Sequence, residues 1–250
     1  MIKKQFNFKL GLLAILSTAA TASVNASTSC PVSFEDLTKV LKTSVKASGG
    51  SANGGLDFHM WATVVTTDGT VCSVTKTGDG LNDQWLGSRV ISAQKANTAI
   101  SFSTPKFALS TANLYSAVQP GGSLFGLQLS NPVDTSVAYA GNSKNYGTKK
   151  DPLVGKKLGG VNVFGGGVAL YNAKGELVGA LGVSGDTSCA DHNIAWRVRK
   201  VLALDKVPAG VNNGNDNIIY LKDSGKEKEA PNGFKHPTCG GTEEAVNQKI

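Results

Sequence analysis

Val178 to Arg199 reads V-G-A-L-G-V-S-G-D-T-S-C-A-D-H-N-I-A-W-R-V-R, and this run sets the fold. Leu177, Val178, Ala180, Leu181 and Val183 form an apolar strand, and Ser184, Gly185 and Asp186 reverse the chain. A helix should begin just beyond them. Thr187 or Ser188 can cap it, with Asp191 in capping-box position relative to Ser188. Ile194, Val198, Val201 and Leu202 then recur at helical spacing as its buried stripe, and Arg197, Arg199 and Lys200 fill its last turns.

The same grammar extends toward both ends of the chain. Ser33 with Asp36 makes a capping box, and Phe34, Leu37, Val40, Leu41 and Val45 share one helical face that should stop at Gly49-Gly50. Leu56 to Thr66 alternates as a strand, with Phe58, Met60, Ala62 and Val64 on one side and His59, Trp61, Thr63 and Val65 on the other. Asp68-Gly69 then turns the chain into a second strand, Thr70 to Thr75, so these two should form an antiparallel hairpin. Ser88 to Phe102 is a small-residue helix, Leu109 to Val118 a short helix, and Leu124 to Leu129 a strand. Asn131 to Gly160 is long for a connection and is expected to cover the body, to make oligomer contacts or to close a pocket. G-G-V-N-V-F-G-G-G at Gly159 to Gly167 lacks the spacing of a nucleotide loop. It reads instead as a strand whose missing side chains admit a helix, a partner or a flat ligand.

This succession of helices and mostly antiparallel strands is α+β. Together with A-Q-K-A-N-T-A at Ala93 to Ala99, the stretch Gly159 to Tyr171, and G-V-S-G before the helix carrying Asp191, it resembles the GlcG/HbpS-type haem-binding (haem-degrading) domain family over about Phe34 to Leu204. The resemblance implies a single profilin-like or PAS-like domain, an antiparallel sheet flanked by helices with long loops. It also implies haem as the ligand. The family more often has an acidic residue where this chain has His192.

The chain divides at residues 26 and 208. Lys3, Lys4 and Lys9 precede the apolar stretch Leu10 to Ala22, with small residues around Ala26, so residues 1–26 are expected to be a secretory signal peptide. Residues 27–208 form the domain, and residues 209–250 a polar tail. No later stretch reaches the roughly 20 apolar residues of a membrane span. The expected location is therefore periplasmic or secreted. The four cysteines Cys30, Cys72, Cys189 and Cys239 all follow the cleavage point and can pair in three ways. Cys30 with Cys72 and Cys189 with Cys239 is preferred, because each pair ties a terminal segment to the nearest core element. No short Cys/His cluster suggests a metal site. The net charge of +7 falls when the three leader lysines are removed, and the remaining basic residues are interspersed with acids, so nucleic-acid binding is excluded.

The chain has only three histidines, His59, His192 and His236. His192 lies in the first turn of the last helix, where exposed N–H groups favour anions, and it reads either as a surface histidine beside a cap or as a haem-iron or metal ligand. Lys95, Arg197 and Arg199 are helix-surface charges that could meet haem propionates. The candidate haem site is thus His192, Asp191, Arg197 and Lys95. His59 reads as a packed strand residue and His236 as a loop residue beside a disulfide. Trp61, Trp85, Trp196 and Tyr146 are core, interface or porphyrin-wall candidates. Ser184 in G-V-S-G-D matches no serine-hydrolase motif. Without C-x-x-C-H, covalent haem attachment is not expected. The resemblance points to an exported, homo-oligomeric haem-binding protein that sequesters or senses haem or assists its degradation, and no acid/base constellation among the residues favours an enzyme. A cofactor-free oligomeric accessory protein and a small-molecule enzyme are the alternatives.

Overall fold

A computed structural model describes residues 29–45, 53–221 and 233–250. The expected signal peptide, the Gly49-Gly50 stop and the whole charged run Lys222 to Glu229 lie outside these residues. Helix α1 (Phe34–Val45) opens the fold, and the Ser33 hydroxyl accepts the Asp36 amide N–H at 3.1 Å as its cap. Strands β1 (Trp61–Val65) and β2 (Val71–Lys76) follow, then helix α2 (Ser88–Ser101). The long middle contains two 3₁₀ turns (Thr111–Leu114 and Ser116–Val118), the short helices α3 (Leu127–Ser130) and α4 (Thr135–Ala138), and a third 3₁₀ turn (Ser143–Asn145). Strands β3 (Gly167–Tyr171) and β4 (Leu177–Ser184), helix α5 (Ser188–Val201) and helix α6 (Glu243–Asn247) complete it.

The four strands form one fully antiparallel sheet in the order β2-β1-β4-β3. The β1–β2 hairpin forms as expected. Gly69 takes a left-handed φ of +79°, and the Asp68 carboxylate accepts the Thr66 hydroxyl and the Thr70 N–H. Both faces of the sheet are covered. Ala62, Val64, Leu181, Val183, Val168 and Leu170 pack with Leu37, Leu41 and Val45 of α1 and with Ile194, Ala195 and Val198 of α5. On the opposite face, Trp61, Val65 and Ala180 meet Ala93, Ala96 and Ala99 of α2.

Two glycines explain how closely α2 approaches. Gly167 pairs with Gly182 across β3 and β4. A Cβ on Gly182 would stand 1.9 Å from the Ser92 carbonyl oxygen, and one on Gly167 would stand 2.5 Å from the Lys95 carbonyl oxygen. The helix backbone occupies the space their side chains would have filled, and α2 carries the small residues Ser92, Ala93, Ala96 and Ala99 on its buried side. Beside them Thr63 Oγ1 lies 2.8 Å from Ser92 Oγ.

Several expectations are corrected. The strand at the start of the hairpin is only Trp61–Val65, because residues 56–60 run irregularly along Asp186, whose carboxylate accepts the Leu56 and Phe58 N–H groups. Leu124 to Leu129 is not a strand: Gly126 at φ +90° breaks the extended run and starts α3. Leu109 to Val118 forms two 3₁₀ turns rather than one helix. The glycine-rich strand begins only at Gly167. Asn131 to Gly160 serves as cover. Arg89 of α2 grips it through a two-pronged ion pair with Asp151 and a bond to the Ala138 carbonyl, with its guanidinium 3.6 Å from the Tyr146 ring centre.

Candidate functional site

Where β4 turns into α5, the sequence places the strand end Val183-Ser184, the turn Gly185-Asp186 and the cap Thr187 in succession. Thr187 Oγ1 accepts the Ala190 N–H and is the N-cap. Asp191 therefore lies one residue beyond the capping-box position and faces inward. Its Oδ2 receives Lys95 Nζ at 2.7 Å and its Oδ1 receives the Asp186 N–H at 2.9 Å. Lys95 also donates to the Val183 carbonyl at 3.1 Å. Both side chains are buried, so the pair joins α2 to α5 through the interior. Burial works against each charge. It lowers Lys95 below the usual lysine range and pushes the Asp191 carboxyl up to about 6. Gly165 and Gly166 let the chain pass this pair. A Cβ on Gly166 would meet Asp191 Cβ at 3.0 Å and Lys95 Nζ at 3.2 Å.

His192, on the next position of α5, is completely buried rather than on the surface. The turn around Asn217 and helix α6 cover it. Its Nε2 lies 3.0 Å from Asn217 Oδ1 and 3.1 Å from the Ile218 amide nitrogen, while its buried Nδ1 has no partner. The ring stacks on Trp196 at 5.7 Å. Burial pulls its pKa down to about 4, so the imidazole is neutral at pH 7. Arg197 and Arg199 are not free helix-surface charges either. Arg197 is half-buried, with bonds to the Ser44 carbonyl and to Asn53 Oδ1 at 2.7 Å. Arg199 forms a buried fork with Asp216 at 2.8 and 2.9 Å. Asn193, Asn217 and Asn247 extend this network into the tail.

Thus the structure joins Lys95 to Asp191, leaves Arg197 on a separate set of partners, and walls His192 in. The partners Asp216, Asn217 and Asn247 all come from the tail, where nothing in the local sequence pattern marks them. Both expected disulfides are present, Cys30–Cys72 and Cys189–Cys239. His236 sits beside the second, its Nδ1 3.9 Å from Cys189 Sγ, and burial lowers its pKa to about 4.

One histidine borders open space. His59, half-buried at the entrance to β1, lines a cleft of about 320 Å³ with Lys42, Val45, Thr77, Gly78, Asp79 and Asp83. Its Nδ1 lies 3.0 Å from Thr77 Oγ1. A second cleft of about 380 Å³ shares Lys42, Gly78 and Asp79 with the first. Trp85 packs edge-on against Phe58 at 5.2 Å, and both rings are exposed.

Among known proteins, three solved structures are similar in fold. A PduOC–haem complex is 23% identical, covers 70% of this chain and 98% of its own, and has a TM-score of 0.46. Klebsiella pneumoniae ORFY is 22% identical over 68% of this chain and 90% of its own, at 0.44. A double mutant of Streptomyces reticuli HbpS is 21% identical over 76% and 99%, also at 0.44. No curated protein matches the chain. The family model described as haem degrading protein HbpS-like matches residues 35–199, from the first turn of α1 to near the end of α5. With all four strands and helix α2 inside that match, the chain belongs to the HbpS-like family.

Proposed function

We propose that this protein is an exported haem-binding protein that sequesters or senses haem or assists its degradation. The observation that carries the reading is the family match across residues 35–199. The clefts that share Lys42 are lined mainly by polar groups, among them Asp79, and Val45 is the one aliphatic side chain of the first, so the reading rests on the family match and not on them. Bound haem would supply redox-active iron. The chain's own part is to hold and orient the group. His192 and His236 are buried in the fold.

Export is supported by the basic and apolar leader and by two disulfides, which persist in oxidising compartments. Among the described residues no helix is long and apolar enough to cross a membrane. Self-association is supported by Phe125, Leu129 and Tyr139, large apolar side chains exposed at 65%, 86% and 68%. Light scattering of the purified chain should then give a mass above that of one chain.

The deciding experiment is a haemin titration of the mature exported chain, followed at the Soret band. Saturable one-to-one binding is expected. The N-terminal residue of the exported chain should be Ser27. Absence of saturable binding would discard the haem reading in favour of a cofactor-free accessory protein.

A further inference from the structure

We infer that Cys189–Cys239 is a thiol–disulfide exchange site, opened by a dithiol reductant that attacks Cys239 and unfastens the tail from α5. The inference is independent of the haem reading. Its basis is the contrast between the two sulfurs. Cys189 is completely buried, whereas Cys239 is half-buried. The residues on either side of Cys239, Thr238 and Gly240, line an open cleft of about 580 Å³ with Gly241, Thr242 and Glu244. An incoming thiolate can therefore reach Cys239 and not its partner. Glu243 accepts the Cys239 and Gly241 N–H groups and holds the sulfur at this rim.

Exchange is fast when the departing sulfur is stabilised as a thiolate, and donors stand beside both sulfurs. Cys189 Sγ lies 3.9 Å from His236 Nδ1. The other group beside that nitrogen, the Pro237 carbonyl oxygen at 2.7 Å, is an acceptor, and a disulfide sulfur cannot donate. Nδ1 therefore carries the hydrogen, which can turn to a thiolate on Cys189. Cys239 Sγ lies 3.3 Å from the Cys189 amide nitrogen in the first turn of α5 and 3.5 Å from Ser188 Oγ, and both donate to it. One group opposes them, the Pro237 carbonyl oxygen 3.6 Å from Cys189 Sγ. In Cys30–Cys72 the polar atom beside Cys30 Sγ is the Val32 carbonyl oxygen at 3.1 Å, which disfavours a thiolate there.

The reaction balances in two steps. A thiolate of the reductant attacks Cys239 Sγ; the new S–S bond forms as the Cys189–Cys239 bond breaks, and the electron pair leaves on Cys189, which takes a proton from water. The reductant's second thiol then attacks its own sulfur in the mixed disulfide and frees Cys239. Two electrons and two protons pass to the protein, and the reductant becomes a disulfide. Residues 233–247 are then held to α5 by non-covalent contacts alone, such as those of Asn193 with the Glu243 carbonyl and Asn247.

The test is timed reduction of the folded, fully oxidised mature chain with dithiothreitol, with free thiols alkylated and the cysteine peptides resolved by mass spectrometry. Cys189–Cys239 should open at least about tenfold faster than Cys30–Cys72. With glutathione as the attacking thiol and an acid quench, the mixed disulfide should form on Cys239. His236→Phe keeps a ring in place without its donor and should slow the opening at least about threefold. A merely loosened tail would speed it instead, and circular dichroism checks that the variant is folded. Equal opening rates of the two disulfides, resistance of both, glutathione on Cys189, or undiminished opening in folded His236→Phe would overturn the inference.

Discussion

Replacing Lys95 with methionine tests whether the interior is built around the Lys95–Asp191 pair. Methionine approximates the length of the lysine stem, so the change removes the charge with little change of volume. It strands Asp191, whose side chain is 3% exposed, with the Asp186 N–H as its one remaining partner. Removing one member of a buried pair costs about 3–5 kcal/mol, a large share of the roughly 5–15 kcal/mol that holds a domain together. For a chain of this size the melting temperature should fall by about 6–20 °C. The double variant Lys95→Met/Asp191→Leu removes both charges but leaves the Asp186 N–H without an acceptor. It should therefore lose only about 1–3 kcal/mol, less than the single change. pH adds a second signature. Burial already raises the Asp191 carboxyl to about 6 with Lys95 beside it, and further once the ammonium is gone. In Lys95→Met the folded state thus keeps a proton that the unfolded chain, with a carboxyl near 3.9, releases. The contribution of this carboxyl to stability is then greatest below about pH 4 and falls as pH rises, by up to 1.36 kcal/mol per unit, until the folded value is passed. Urea unfolding followed by tryptophan fluorescence at pH 5 and pH 8 measures both effects. A Lys95→Met midpoint equal to the parent's at pH 8 would refute the reasoning.

The buried histidines predict a weakness toward acid. His192 and His236 are held at about 4 in the fold against about 6.5 unfolded, so their stabilisation is complete above pH 6.5 and lost as pH falls. The loss reaches about 3 kcal/mol each by pH 4, and His192→Gln should flatten its share of that limb in a thermal-melt series. Gly182→Ala sets a methyl 1.9 Å from the Ser92 carbonyl and 2.6 Å from the Ala96 nitrogen, both helix backbone. It should cost at least about 3 kcal/mol, measured by denaturant unfolding, and a neutral result would mean that α2 does not pack on that glycine. Opening Cys189–Cys239, which closes a loop of 50 residues, should cost about 4 kcal/mol. With Cys239→Ser, faster hydrogen exchange should appear at residues 233–247 and at His192 while β1 and β4 stay protected.

The sequence revealed features encoded by neighbours in the chain. The strand-turn-helix at Val178–Arg199 is legible because its apolar stripe, glycine turn and cap lie within one short run. The Asp68-Gly69 hairpin is legible for the same reason. The glycine strand was read correctly in kind, as a surface where a helix comes close, but its start was misplaced: nothing local separates Gly159–Phe164, which runs irregularly, from Gly167, which pairs with Gly182. Lys95, Arg197 and Arg199 were misplaced on the surface for a different reason. A charged side chain on a helix looks solvated until its partner is known, and the partners here are 96, 144 and 17 residues away. Leu124 to Leu129 alternates like a strand, yet Gly126 takes a conformation that no strand contains.

Packing and ligand binding make opposite demands on the same polar side chains. Gly167 and Gly182 draw α2 so close that Lys95 must enter the interior, and Asp191 is the group that makes its charge tolerable there. Asp191 is thereby committed to Lys95 and to the Asp186 N–H, and Asp186 to the start of the segment leading into β1. Each step removes a donor or acceptor from the set that could meet a ligand. The tail completes the process by engaging Arg199 through Asp216 and His192 through Asn217.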